Sequence, residues 1–235
     1  MVKKERKEEL AKLQKTLGYS FMEVKLLNKA LTHKSYVNET EENLKHNERF
    51  EFLGDSVLDL IVSEYMIRKF SDYKEGVLSK IRAGVVNESC LAKLARKIDL
   101  GDYLLLGRGE EMSGGRNKPS LLANAYEALV GAIYFDSNLE TVAKVLLPSI
   151  KKEIKGFIET PESRDYKSDL QEYTQNKMVC IPAYKVTKEI GPDHEKQFEI
   201  VVSIKNKSRG KGMGRSKKEA EQAAAKMALE GFRNN

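Results

Sequence analysis

The chain has 235 residues, enough to bury one large core or two smaller ones, and its 41 basic against 35 acidic side chains leave a formal charge of +6. No apolar run approaches the roughly 18 residues of a transmembrane helix, and the charged opening Met1-Val-Lys-Lys-Glu-Arg-Lys-Glu-Glu lacks the apolar stretch of a secretory signal, so a cytoplasmic protein is expected. Two distant cysteines, Cys90 and Cys180, and three histidines, His33, His46 and His194, show neither disulfide-framework nor zinc-ligand spacing; both thiols are expected reduced and buried.

Residues 1–158 predict helix after helix. Apolar positions recur at spacings of three and four, as at Leu53, Val57, Leu60 and Ile61 and again at Leu91, Leu94 and Ala95. Gly-bearing segments at 99–102 and 112–116 punctuate them. A polar stretch containing Gly156 and Pro161 marks a linker at 159–164. Beyond it the pattern changes. A helix is predicted over Lys167–Asn176, strands over Tyr184–Thr187 and Phe198–Ile204, a shorter third strand around Ser208–Met213, and a closing helix from Lys217 onward. In the second strand Phe198, Ile200, Val202 and Ile204 alternate with outward positions, so one face turns to a core. Ser216-Lys217-Lys218-Glu219 fits a capping box, and Ala220, Ala224, Met227 and Ala228 form the stripe that lets the last helix sit close on the sheet. The expected fold is multidomain: an all-α domain at 1–158, then an α+β domain of order α-β-β-β-α at 165–235.

Between Ile204 and Lys218 lie seven basic residues and no acidic one, interleaved with structured sequence, which favours a polyanion-binding surface over a bland solvated face. Leu170-Gln171-Glu172, Gly191-Pro192-Asp193-His194 and Lys217-Lys218-x-Ala220, in that order on those elements, resemble the double-stranded RNA-binding domain over most of 165–232. The resemblance implies that Ser168, Gln171 and Glu172 enter one minor groove, that His194 enters the next, and that Lys217 and Lys218 meet phosphates across the major groove between them. A-form RNA suits such a reader, because its major groove is too narrow for side chains and recognition falls on phosphates and 2′-hydroxyls.

In the first domain Glu51 and Asp55 stand four apart and share a helix face, and Asn124 and Glu127 stand three apart on another. An acid pair at that spacing is also what a solvated helix carries. Brought together, the two faces offer three carboxylates and one amide oxygen, a hard oxygen set suited to Mg²⁺, with Mn²⁺ as a substitute. The string Asn47-Glu48-Arg49-Phe50-Glu51-Phe52-Leu53-Gly54-Asp55-Ser56 resembles the signature of bacterial ribonuclease III. Agreement extends to Ala30-Leu31-Thr32-His33-Lys34-Ser35-Tyr36, to Gly76-Val77-Leu78-Ser79-Lys80-Ile81-Arg82-Ala83 and to Glu127-Ala128-Leu129-Val130-Gly131-Ala132-Ile133-Tyr134, so with the C-terminal domain the likeness spans nearly the whole chain.

That resemblance implies a homodimeric endoribonuclease that cuts RNA duplexes, leaves 5′-phosphates and short 3′ overhangs, and processes structured ribosomal and messenger precursors. Glu51, Asp55, Asn124 and Glu127 would hold the metal, with Asp55 and Glu127 foremost in catalysis. Phe52 would be an aromatic knob entering the partner, and Glu75 would lie near the dimer's RNA valley. One departure stands out: the family usually has Asp where this chain has Asn124, whose amide oxygen can ligate a cation but brings no charge and accepts no proton as a carboxylate does. The competing reading is therefore a catalytically weakened or inactive RNA-binding protein that keeps the nuclease fold as a dimer scaffold.

Overall fold

The computed structural model describes residues 2–40, 45–160, 165–192 and 195–233. Contacts divide the chain into two units, Met1–Thr160 and Pro161–Asn235, each with its own hydrophobic core.

The first unit is helical: α1 (Lys4–Leu17), α2 (Val24–Ala30), α3 (Lys34–Glu39), α4 (Glu48–Lys69), α5 (Glu75–Val85), α6 (Glu88–Arg96), α7 (Arg108–Met112), α8 (Pro119–Asp136) and α9 (Leu139–Glu159). The glycine-bearing breaks read from the sequence fall at 3₁₀ turns, Leu100–Tyr103 and Gly115–Asn117. Among the described residues no helix is long and apolar enough to cross a membrane.

Helix α8 runs through the core. Proline at its first position lacks an N–H that would have found no helical acceptor. Leu122, Ala125, Leu129, Ala132 and Ile133 are buried around much of its circumference, as a helix covered on several sides requires. Helix α4 crosses it on glycine. A Cβ on Gly54 would lie 1.8 Å from the Glu127 carbonyl oxygen, and one on Gly131 would lie 2.3 Å from that of Phe50. Backbone therefore meets backbone, in antiparallel register, with Gly54 against Glu127 and Gly131 against Phe50.

Long-range polar ties hold this frame. Asp136, at the end of α8, accepts the Tyr19 hydroxyl at 2.6 Å and the backbone N–H groups of Met22 and Glu23 at 2.8 and 2.9 Å. It thereby satisfies donors ahead of α2 that have no helical acceptor. Arg116 spends its Nη1 on the carbonyls of Gly101, Asp102 and Leu104, at 2.9, 3.1 and 2.9 Å. This basic side chain fastens a turn.

Leu60 departs from its expected place. Spacing puts it with Leu53 and Val57 on the buried side of α4, yet it is 53% exposed. The buried side runs through Phe50, Val57, Leu58, Ile61 and Val62, and Leu60 instead shares an outer stripe with Phe52 and Ile67. The two thiols, Cys90 and Cys180, are free and only half-buried.

In the second unit, α10 (Tyr166–Met178), β1 (Ala183–Ile190), β2 (Gln197–Ile204), β3 (Lys207–Gly214) and α11 (Lys217–Arg233) follow the expected order. The sheet is antiparallel, with strand order β1-β2-β3, and buries Ile200, Val202 and Ile204. Lys205 and Asn206 both take positive φ, 50° and 63°, and make the two-residue turn whose twist suits a hairpin.

Helix α11 lies directly on β3. A Cβ on Gly210 or Gly212 would come within 2.2 Å of the Ala224 backbone. The close seat expected from the alanines depends equally on these glycines. Met227, expected in the stripe, is 55% exposed. The buried arc centres on Ala224, Ala225, Ala228 and Leu229, which leaves Met227 at its rim, with Sδ accepting the Lys211 N–H at 3.2 Å. At the start of α11, Ser216 Oγ accepts the Glu219 N–H at 3.2 Å, as a capping box requires. The returning Glu219 carboxylate takes the N–H of Arg215, at 2.8 Å, one residue earlier than the usual pattern.

Candidate functional site

Helix α4 carries Glu51, Asp55 and, one turn further, Asp59; α8 carries Asn124 and Glu127. The glycine crossing seats the Glu127 backbone on α4 at Gly54, between Glu51 and Asp55 in the chain. Glu51, Asn124 and Glu127 are half-buried, while Asp55 is exposed. Burial pushes the Glu127 carboxyl up to about 7, and the charges of Asp55, Glu51 and Asp59 add to the rise. Burial also raises Glu51, with Glu48 and Asp55 adding to it and Lys34 opposing. Among the described residues no cation offsets the rise at Glu127.

The concentration of negative charge and the all-oxygen donors fit a hard divalent cation. The side-chain positions fit less completely. Among the described residues no three His, Cys, Asp or Glu side chains are drawn together tightly enough to hold an ion as they stand. The carboxylates would have to close on a cation. Their shared frame is two helices in backbone contact at Gly54 and Gly131.

Phe52 follows Glu51 on α4 and is 80% exposed, so it belongs to no core in this chain. Leu60 and Ile67 continue the same outer stripe. Glu75 opens α5, exposed, and accepts the Ser79 hydroxyl at 2.7 Å.

In the second unit, Ser168, Gln171 and Glu172 are exposed on α10 at spacings that place them on one face. Asp165 caps this helix: its carboxylate accepts the Ser168 backbone N–H at 3.1 Å and the Ser168 hydroxyl at 2.9 Å. Lys217 and Lys218 are exposed in the first turn of α11, where free N–H groups and the helix dipole favour anions. Lys217 Nζ lies 3.8 Å from the Glu189 carboxylate, which also holds Lys196 at 3.0 Å. Those lysines keep the Glu189 carboxyl below its usual range, Lys196 foremost. His194 lies outside the described residues.

Two acids beside these groups escaped the reading of the sequence. Asp59 could have been found, since it stands four residues beyond Asp55. Glu189 could not, because its proximity to Lys217 depends on how β1 lies beside α11.

Family models match both units: one described as Ribonuclease-III-like covers residues 23–154, and the double-stranded RNA binding motif covers residues 166–231. Among curated proteins, Ribonuclease 3 of Sulfurovum sp. strain NBC37-1 is 49% identical over 224 residues, covering 95% of this chain and 98% of that protein. Ribonuclease 3 of Borreliella burgdorferi is 45% identical over 230 residues, covering 98% and 94%. The crystal structure of the nuclease domain of ribonuclease III from Campylobacter jejuni aligns with a TM-score of 0.56 at 46% identity, covering 60% of this chain and 93% of that one.

Proposed function

The chain belongs to the ribonuclease III family, and from that premise we propose how its residues divide the work. It is a double-strand-specific endoribonuclease, carried by a nuclease domain and a double-stranded RNA-binding domain. Nothing in the comparisons favours the inactive alternative. The observation that supports the assignment of the site is the pairing of α4 and α8 at Gly54 and Gly131, which sets Glu127 in the field of Glu51 and Asp55.

In this reading Glu51, Asp55, Asn124 and Glu127 hold Mg²⁺, with Mn²⁺ able to replace it. When bound, the ion lowers the pKa of a water and offsets charge on the phosphodiester. The residues do the rest. Glu127, whose carboxyl burial pushes up to about 7, would be held ionised beside a bound cation. Asp55, the most exposed of the three acids, faces the incoming backbone. Asn124 contributes a neutral oxygen and orients its neighbours, but takes no proton. Lys217 and Lys218 draw the duplex by its phosphates, while Ser168, Gln171, Glu172 and His194 meet the minor grooves and their 2′-hydroxyls.

Cutting both strands requires two sites. Phe52 and the apolar stripe behind it support a homodimer in which each subunit cleaves one strand and leaves a 5′-phosphate and a short 3′ overhang. Structured ribosomal and messenger precursors in the cytoplasm are the natural substrates of such an arrangement.

The test is cleavage of a long RNA duplex across a Mg²⁺ series by the wild type, Asn124→Asp and Glu127→Gln. Wild type cleaves, Asn124→Asp needs less Mg²⁺, and Glu127→Gln is inert while still binding duplex. Full activity of Glu127→Gln would remove Glu127 from the chemistry.

A further inference from the structure

We propose that Asp59 is a positioning carboxylate of the active site, restoring from α4 the negative charge that Asn124 withholds on α8. The proposal rests on the metal-site reading above.

The register of the two helices supplies the geometry. Gly131 meets Phe50 and Gly54 meets Glu127, so α4 and α8 pass each other antiparallel. One turn further along this crossing, Asn124 comes level with the part of α4 that carries Asp55 and Asp59. Asp59 is half-buried, and its carboxylate lies 4.0 Å from Arg82 Nε, at the outer limit of an ion pair. Arg82 commits its Nη1 to the Ser63 hydroxyl at 2.9 Å, so its charge is held toward α4 without closing on Asp59. The Asp59 charge is felt at Glu127, after those of Asp55 and Glu51. Four acidic side chains thus share this field, even with an amide at position 124.

Asp59 stands a full turn beyond the nearest proposed ligand, Asp55. It acts through its charge and through the waters a hydrated cation carries into the site, not as a direct ligand. Outer groups of this kind commonly change metal affinity by roughly tenfold or more.

The experiment measures Mn²⁺ binding to the full-length protein without RNA, by the loss of the free-ion electron paramagnetic resonance signal. Wild type, Asp59→Asn, Asp59→Glu, Glu127→Gln and the double variant Asp59→Asn with Asn124→Asp are compared, each checked by thermal melting. The expected result is saturable binding by the wild type that Glu127→Gln removes, and binding about tenfold weaker in Asp59→Asn. Asp59→Glu stays near wild type, and Asn124→Asp recovers most of the loss in the double variant. A folded Asp59→Asn that binds Mn²⁺ as tightly as the wild type overturns the role of Asp59 and leaves the site itself intact. A wild type without saturable binding overturns the metal site and the proposal together.

Discussion

Gly54→Ala is the sharpest probe of how the active site is framed. The added methyl carbon would stand 1.8 Å from the Glu127 carbonyl oxygen, 2.6 Å from its carbonyl carbon and 2.9 Å from the Gly131 nitrogen, whereas ordinary contacts begin near 3.4 Å. All three are backbone atoms of a helix, so no side chain can swing aside. The helices must part by roughly 1.5 Å at the crossing, in an interior packed too tightly to absorb it. Overpacking of this kind costs about 1–3 kcal/mol, and a backbone wall places this case at the upper end. For a domain of this size that corresponds to a fall in Tm of roughly 6–12 °C. The same displacement carries Glu127 away from Glu51 and Asp55, and misplacement by about 1 Å can lower a rate on the order of 100-fold. Circular dichroism melting gives the first number. Single-turnover cleavage of an end-labelled duplex, well below both melting temperatures, gives the second. Gly156→Ala is the control: its Cβ would meet open space on α9, so it should leave cleavage unchanged and gain up to about 1 kcal/mol in stability. If Gly54→Ala melts and cleaves like the wild type, α4 and α8 do not meet backbone to backbone and the site is framed differently.

The raised Glu127 carboxyl makes the metal-free protein sensitive to pH. A group whose pKa climbs from 4.5 to about 7 on folding costs nothing below the lower value, destabilises the fold progressively as pH rises from the lower value to the upper one, and adds no further loss beyond it. Allowing for partial exposure, denaturant melts in chelator should show about 1–3 kcal/mol lost from this group between pH 4.5 and about 7, with a plateau above, and Glu127→Gln should remove that decline; an unchanged decline would assign it elsewhere. Replacing Lys217 and Lys218 together by alanine should weaken duplex binding on the order of tenfold at moderate salt and make the log–log salt dependence shallower by about 2. Equal slopes would place the phosphate contacts on other residues. Phe52→Ala should raise the dimer dissociation constant at least about tenfold by analytical ultracentrifugation; an unchanged sedimentation profile would take Phe52 out of the interface.

Much of this architecture was legible because it is local. The spacing of Leu91, Leu94 and Ala95 marks a helix, the alternation from Phe198 to Ile204 marks a strand, and neither needs knowledge of a neighbour. Periodicity shows which residues share a face but not what covers it. That is why spacing alone places Leu60 in the interior although it lies on an outer stripe, and places Met227 in the apolar stripe although it lies at the rim of α11. The turn at Lys205 and Asn206 carries no glycine, so its chemistry gave little warning of two residues in the left-handed region. Asp136 and Arg116 hold groups far away in the chain, and no local pattern announces such partners. The site divides the same way. Glu51 with Asp55, and Asn124 with Glu127, were visible as pairs on helix faces, but the contribution of Asp59 depends on the register of α4 against α8.

The seam between β3 and α11 has a consequence for how this protein can change. Gly210, Gly212 and the alanines opposite leave nothing larger than a methyl group at the joint, so it has little room for adjustment. A single methyl group added on the sheet side would jam it, and removing one from the helix would open a gap that nothing nearby could fill. Lys217 and Lys218 project from the end of this fixed-gauge joint, and their distance from the sheet is inherited from it. If Gln171 and Lys217 meet the duplex as proposed, variation in grip is channelled outward to such exposed positions, while the joint itself stays closed to gradual revision.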